Sequence, residues 1–154
     1  MQAAEQTAIR WARDEHDVHG AFAVRERVFC GEQGVSLAEE LDGRDDEALH
    51  LVALVPDEDG PRVIGTLRLL VEGERGKIGR VAVERPWRRR GIASRMLELA
   101  VSGARERGCR ELRLAAQVAA IDLYAHAGFS VDSDAFEEAG IPHVWMQLAL
   151  TGAR

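Results

Sequence analysis

The chain has 154 residues, about the length of one domain, and its 20 Lys and Arg against 26 Asp and Glu give a net charge of −6. Hydrophobic residues make up 46% and charged residues 30%, which is typical of a folded globular protein and not of a disordered one. The acidic balance disfavours a nucleic-acid-binding protein. The longest purely apolar run, 51–55, is far shorter than the roughly 20 residues that span a bilayer, so a membrane is not expected as a partner either.

The two cysteines, Cys30 and Cys109, predict no metal site, because no CxxC pair and no Cys/His cluster has the spacing of zinc ligands. Both are expected to be small apolar side chains in or near the core. Residues 1–17 hold no apolar stretch that could act as a secretion signal. A cytoplasmic protein, in a compartment that keeps thiols reduced, is therefore expected.

The first half of the chain predicts a short strand, a helix and a three-strand meander. Asp14 or Asp17 is expected to cap the helix, which runs to about Phe29. The polar segment 36–47 predicts a loop with one helical turn. The strands are expected at 7–12, 49–55, 62–71 and 77–84.

The second half predicts strands alternating with helices. A long helix is expected from near Arg90 to Gly108, and a shorter one over 118–127. Further strands are expected at 111–115, 128–133 and 142–150. Strands with interspersed helices in one domain, residues 1–154, predict a mixed α/β sheet.

The turn between the third meander strand and the long helix is the sharpest local feature. Residues 85–90 contain four arginines and no acid. The first N–H groups of a helix have no partner within it, and the helix dipole is positive there, so a helix start suits a phosphate group. Gly91, followed by the small Ala93 and Ser94, would let a ligand approach the backbone. A solvated basic turn is the alternative, and no GxGxxG or GxxxxGK[ST] motif supports a nucleotide fold.

The segment Arg88-Arg89-Arg90-Gly91-Ile92-Ala93 resembles the [Q/R]-x-x-G-x-[G/A] acyl-CoA-binding motif of the GNAT (Gcn5-related) N-acetyltransferase family. Residues 120–129 resemble the A-x-x-x-Y-x-x-x-G-F segment of the same family. The run 25–35 and the segment Gly140-Ile141-Pro142-His143 resemble the RxxVFxxEQ and GIPH segments of its ElaA-like (YjcF-like) branch.

The resemblance implies one α/β domain with a mixed, mostly antiparallel sheet of six to seven strands flanked by about four helices. It implies direct transfer of an acetyl group from acetyl-CoA, bound as co-substrate, to a primary amine in a ternary complex, without a metal. A covalent acyl-cysteine route is disfavoured, because neither cysteine lies in an activated-thiol setting. A catalytically silent acyl-CoA-binding or sensing module on the same fold is the alternative.

The resemblance also assigns residues to roles. The strand 81–83 would hold the pantetheine arm by its backbone, and the N–H groups from about Arg89 to Ser94 would hold the pyrophosphate. Arg85, Arg88 or Arg90 would pair with the 3′-phosphate, because arginine suits phosphate geometry. Gln117 stands where the family often has Asn. The implied cofactor-binding residues are Val81, Ala82, Val83, Arg88, Arg89, Arg90, Gly91, Ile92, Ala93, Ser94 and Gln117.

Tyr124, the only tyrosine, is the implied catalytic residue that would protonate the departing CoA thiolate. The alternative is an aromatic side chain that only packs. A phenol of pKa about 10 stays protonated at neutral pH and can donate a proton to a thiolate whose thiol has a pKa of about 8.5.

A lysine-like acceptor must also lose a proton, at a cost of about 4.6 kcal/mol at pH 7. The candidate bases are Glu32, Glu40, His50, Glu138 and His143, and each also has a purely structural interpretation. The sequence does not choose between them.

Residues 39–47 hold six carboxylates and one arginine, and in the family the corresponding connection borders the acceptor side of the cleft. We therefore expect the acceptor to be a cationic small-molecule or peptide amine steered by this loop. A solvated loop that only aids solubility is the alternative. The sequence leaves a homodimer open.

Overall fold

The computed structural model describes residues 6–150, whose strands all join one sheet. The strands are β1 (Ala8–Trp11), β2 (Leu49–Val55), β3 (Arg62–Glu72), β4 (Arg75–Val83), β5 (Glu111–Gln117), β6 (Ser130–Val131), β7 (Phe136–Glu138) and β8 (Ile141–Ala149). The helices are α1 (Glu15–Arg25), α2 (Leu37–Glu40), α3 (Ile92–Glu106) and α4 (Ile121–His126). A π-helix, Glu26–Glu32, continues α1, and 3₁₀ turns cover Asp45–Glu47, Arg85–Trp87 and Val118–Ala120.

The strand order is β1-β2-β3-β4-β5-β8-β6, with β7 also paired to β8. All neighbours are antiparallel except β4 and β5, which run parallel. A single α/β domain with a mixed, mostly antiparallel sheet and four α-helices is confirmed, but the sheet has eight strands and not six to seven. The missed strand is β7, a Phe-Glu-Glu segment without apolar alternation that forms only by pairing with β8.

Helices cover the two faces of the sheet unequally. Helix α1 buries Ala21 and Val24 against alternate residues of β2 and β3, and α3 buries Met96 and Ala100 on the opposite face. The meander strands β2 and β3 are therefore buried on both faces. In β5 the residues alternate between buried and half-buried, because α1 packs mainly on β3 and, less extensively, on β2 and β4. This half of the sheet keeps an open face.

A β-bulge bends β4 near the point where this strand separates from β5. Thr66 pairs with Ala82 and Arg68 with Gly79, so two residues, Arg80 and Val81, stand opposite one. Arg80 has a φ of 54°, in the left-handed region. Bulges bend a strand and end pairing. Accordingly, β4 pairs with β5 only along the residues 75–77, and the two strands separate beyond them.

Several element boundaries differ from the sequence prediction. Asp14 caps α1, but the helix continues as the π-helix to Glu32, past the predicted end at Phe29. The predicted helix over 118–127 is a 3₁₀ turn followed by α4, and the strand predicted at 128–133 is reduced to β6. The helical turn predicted in 36–47 is α2, which Ser36 and Glu39 start with a capping box. None of the helices within residues 6–150 has the length and apolarity needed to cross a membrane.

Candidate active site

A cleft of about 670 Å³ opens where β4 and β5 separate. Its walls are formed by parts of β3, β4, β5 and β8, the start of α3, the π-helix, α2, α4 and the end of β7 with the turn that follows it. The structure brings seven of the predicted site residues to these walls. They are Val81, Ala82, Val83, Arg88, Ala93, Gln117 and Tyr124.

The remaining five predicted residues, 89–92 and Ser94, lie at the beginning of α3 beside the cleft. Ile92 is 2% exposed and packs in the core, so it can offer a ligand only its backbone. Gly91 precedes the helix with a φ of 78°, and no side-chain hydrogen bond caps it. A Cβ on Gly91 would meet no atom of the chain within 4 Å. The helix start therefore has open space before uncapped N–H groups, as an anion site needs.

The backbone of β4 presents alternate residues to the cleft. Glu84 donates its N–H to the Ile64 carbonyl of β3 at 2.9 Å, so Val83, one residue before it, directs its backbone groups away from β3. Arg88 Nε donates to the Val83 carbonyl at 2.7 Å from that side. An extended polar chain laid along Val81 and Val83 would meet backbone groups that β5 does not pair.

The arginine-rich turn is partly neutralised by Glu32 at the end of the π-helix. Arg88 Nη2 donates to Glu32 at 2.8 Å and Arg85 Nη2 at 3.3 Å, while the Arg90 guanidinium lies 5.5 Å from the Trp87 ring centroid. Two of the four arginines thus already have an acidic partner. Glu32 accepts from these two arginines and is not among the residues that line the cleft, which favours a structural role for it.

Gln117 forms a reciprocal amide pair with Gln33, which follows the π-helix. Gln117 Nε2 donates to Gln33 Oε1 at 2.9 Å, and Gln33 Nε2 donates to Gln117 Oε1 at 3.5 Å. Gln33 also lines the cleft, and sequence reasoning did not select it as a site residue. The dipeptide Glu32-Gln33, at which the run 25–35 matches the RxxVFxxEQ segment, was the sequence signal that could have identified it. The pair joins the π-helix side of the cleft to the end of β5.

Tyr124 is 7% exposed and packs edge-to-face on Phe129 at 6.4 Å between ring centroids. Burial raises the pKa of its phenol well above the ordinary value. The hydroxyl therefore stays protonated at neutral pH. It can donate a hydrogen bond or a proton to a group in the cleft.

The other candidate bases separate into two groups. Glu40 lines the cleft but is 4% exposed, and its carboxylate is held by Arg25 at 2.7 Å and Arg80 at 3.1 Å. His50 lies outside the cleft, with Nε2 3.0 Å from the Asp45 carbonyl. Glu138 and His143 both line the cleft.

The acidic segment 39–47 is an ion-pair network and not a bare negative surface. Arg68 bonds Asp42 and Asp45, and Arg25 also bonds Asp45 at 2.7 Å. The hydrogen bond from Arg68 lowers the pKa of Asp42. Burial would raise the pKa of Asp45, but the hydrogen bond and charge of Arg25 outweigh it and hold the pKa below the ordinary value. Within residues 6–150, Glu39 and Asp46 are the two carboxylates of this segment that form no ion pair.

Neither cysteine thiol is activated, although the charge of Arg107 partly offsets the effect of burial at Cys109. Both thiols are free, and Cys109 is buried whereas Cys30 is partly exposed. Desolvation raises the pKa of both thiols, and Glu40 and Glu26 raise that of Cys30 further. Among the residues that the structure describes, no group of three or more His, Cys, Asp or Glu side chains is placed to hold a metal ion.

The model of the acetyltransferase (GNAT) family matches residues 19–129 of the chain. The chain belongs to the GNAT family. The matched range contains the split of β4 from β5, the start of α3 and Tyr124.

Known GNAT proteins resemble the chain over nearly its whole length. The N-acetyltransferase YjcF of Bacillus subtilis, itself uncharacterised, is 33% identical over 136 residues, covering 88% of this chain and 94% of YjcF. The structure of an acyl-CoA N-acyltransferase from Pseudomonas aeruginosa superposes with a TM-score of 0.77 at 26% identity, covering 93% of this chain and 98% of that one. Escherichia coli ElaA shares the fold with a TM-score of 0.77 at 22% identity, covering 92% and 99% of the two chains. The resemblance to the ElaA-like (YjcF-like) branch is thereby confirmed.

Proposed function

We propose that this GNAT protein transfers an acetyl group from acetyl-CoA directly to a primary amine. The observation that carries the proposal is the cleft between β4 and β5. Strand backbone that β5 does not pair, a helix start without a side-chain cap and the buried Tyr124 side chain lie along this one channel.

The cofactor would bind along the channel in an extended form. Its pantetheine arm would hydrogen-bond Val81 and Val83, and its pyrophosphate would meet the N–H groups that follow Gly91. Arg89 and Arg90 form no ion pair within residues 6–150, so they suit the remaining phosphate better than Arg85 and Arg88, which Glu32 holds.

Direct transfer fits the side chains along the channel. The amine nitrogen attacks the thioester carbon, the C–N bond forms and the C–S bond breaks. The nitrogen releases one proton to solvent, Tyr124 donates its own proton to the departing sulfur, and a proton from solvent restores the phenol. The raised thiol pKa values of Cys30 and Cys109 argue against a route through an acyl-cysteine.

A cationic acceptor is supported by Glu39 of α2 and Glu138 of β7. Both line the cleft, both are exposed, and neither forms an ion pair within the described residues. The ion-paired carboxylates of 39–47 are unavailable for this purpose. The proposed steering thus rests on two side chains and not on the whole acidic segment.

The test measures CoA thiol release with acetyl-CoA and each of putrescine, spermidine, glucosamine and lysine amide, against reactions without amine. Amine-dependent release with an acetylated product is expected. In parallel, acetyl-CoA at about 100 times its Kd should stabilise the fold by about 2.7 kcal/mol. Stabilisation without any turnover would indicate the silent acyl-CoA-binding module, and a melting temperature that acetyl-CoA does not change would overturn both.

A further inference from the structure

We infer that His143 is the general base of the reaction, with its Nε2 taking the proton that the acceptor amine loses. The inference rests on the proposed acetyl transfer and adds a second proton-transferring residue to it. His143 lies in β8 and is 7% exposed, at the wall of the cleft.

The hydrogen bond of His143 defines its tautomer. Nδ1 lies 2.7 Å from the carbonyl oxygen of Ile141. A carbonyl only accepts, so Nδ1 carries the proton, and in the neutral ring Nε2 is an acceptor with a free lone pair. Among residues 6–150 no group hydrogen-bonds Nε2. The ring therefore offers the cleft its basic nitrogen.

Stacked rings fix the plane of the imidazole. His143 stacks on Phe136 of β7 at 5.9 Å between centroids and an interplanar angle of 23°. Phe136 stacks in turn on Trp145 at 5.8 Å and 28°. Lys77 and Arg113 lie over the Trp145 ring. A base held by both a hydrogen bond and a stack needs little reorganisation before it accepts a proton.

The sheet register places His143 beside Gln117, one of the residues proposed to contact the cofactor. His143 pairs directly with Gln117 of β5, and on antiparallel strands such partners share a face with Cβ atoms about 5 Å apart. Gln117 is the side chain expected to contact the pantetheine arm. Tyr124 lines the same cleft, so a base and an acid flank one space.

The other four candidate bases are less suited to accept the proton of the amine. Glu32 and Glu40 hold arginines, and His50 lies outside the cleft. Glu138 is exposed, and an ordinary glutamate of pKa about 4.3 is a weak base at neutral pH, whereas an ordinary imidazole of about 6.5 is well matched to it.

The proton balance of the proposed step closes. The neutral amine attacks, its N–H proton passes to His143 Nε2, and the Tyr124 O–H proton passes to the CoA sulfur. One proton has then moved from nitrogen to sulfur. The imidazolium returns its proton to water and the phenolate takes one up.

The residues that stand opposite His143 on the two neighbouring strands carry no charge. Gln117 and Phe136, which stand opposite it on β5 and β7, do not titrate. Apart from the ion pairs already described, the charged side chains on the cleft walls are Glu39, Lys77 and Glu138.

The experiment compares His143→Asn with His126→Asn. The asparagine amide can keep the donor to the Ile141 carbonyl while Nε2 is lost. His126 is the matched control, because its Nδ1 also bonds a main-chain carbonyl, that of Asp122 at 2.7 Å, but it is exposed and does not line the cleft. The kcat is measured from about pH 5.5 to 8.5, a range that spans the ordinary imidazole pKa of about 6.5. The acceptor is the amine that turns over in the screen above.

We expect His143→Asn to lower kcat about 10²- to 10⁴-fold, to lose the acid limb of the pH profile and to keep the parent's Kd for acetyl-CoA. His126→Asn should behave like the parent. If the parent acetylates an amine and His143→Asn keeps its rate and acid limb, His143 is not the base and the transferase remains. A parent that acetylates none of the four amines overturns the transferase and the base together.

Discussion

Tyr124 illustrates how a single buried hydroxyl can be tested without disturbing its surroundings. Tyr124→Phe keeps the ring and its edge-to-face contact with Phe129 and removes only the donor. We expect kcat to fall about 10²- to 10⁴-fold with an unchanged acetyl-CoA Kd, measured by steady-state kinetics and calorimetry. An unchanged kcat in a variant whose chemical step is rate-limiting would reduce Tyr124 to a packing residue.

We expect loss of charge to have different effects at the neighbouring residues Glu39 and Glu40. Glu40→Gln removes one carboxylate from the buried Arg25, so the free energy of unfolding should fall. The loss should stay below the roughly 3–5 kcal/mol typical of a broken buried pair, because Asp45 still binds Arg25.

Glu39→Gln and Glu138→Gln should leave stability unchanged and raise the KM of a cationic amine, with the acetyl-CoA KM constant. Urea unfolding measures the stability of each variant, and steady-state kinetics measure the KM for the amine and for acetyl-CoA. An amine KM equal to the parent's in both Glu39→Gln and Glu138→Gln would show that neither side chain contributes to acceptor binding.

Helix α3 offers a comparison between its two ends. Gly91 precedes it with a φ of 78°, and Gly108 follows it with a φ of 85°; neither would have a Cβ neighbour within 4 Å. Alanine at either position should cost about 1 kcal/mol of stability, because its Cβ opposes the left-handed backbone.

Only Gly91→Ala should also weaken acetyl-CoA binding, because only that end faces the cleft. Thermal unfolding gives the stability of both variants, and titration with acetyl-CoA gives their Kd. Equal acetyl-CoA affinities would place the pyrophosphate elsewhere.

Elements with a strong local pattern could be predicted from the sequence, and those formed by pairing could not. The apolar strands β2 and β3 and the amphipathic α3 follow from their own residues. The strand β7 and the bulge at Arg80 depend on partners, so no local pattern reveals them. The π-helix differs from an α-helix by one residue per hydrogen bond, which hydrophobic spacing does not distinguish.

At the scale of the whole molecule, the candidate site also combines local features that could be predicted with long-range contacts that could not. The strand–turn–helix at 81–94 and the segment 117–129 are contiguous and could be predicted. The bonds from Arg88 to Glu32 and from Gln117 to Gln33 join residues 56 and 84 positions apart. The tertiary fold alone brings such partners together, so the arginine turn looked more positive, and 39–47 more negative, than either is.

The ion-pair network predicts how stability depends on acid. Because the pKa of Asp42 is lower in the folded chain than the ordinary value of about 3.9, its contribution is complete above about pH 4 and is lost as the pH falls further. Asp42→Asn should therefore be less stable than the parent at neutral pH, with a difference that shrinks below about pH 4.

Asp46→Asn is the control, since Asp46 is exposed and forms no ion pair within the described residues. Urea midpoints at several pH values provide the comparison. A gap between Asp42→Asn and the parent that stays constant into acid would contradict the role of the Arg68 bond.

The bulge in β4 makes ligand binding depend on strand length as well as on residue identity. Arg80 and Val81 share one opposing residue, Leu67, so losing a single codon there would restore an uninterrupted ladder with β3. We expect the straightened strand to continue along β5, leaving a stable sheet without room for a cofactor. We therefore expect the length of β4, and not only its residue types, to decide whether the cleft forms.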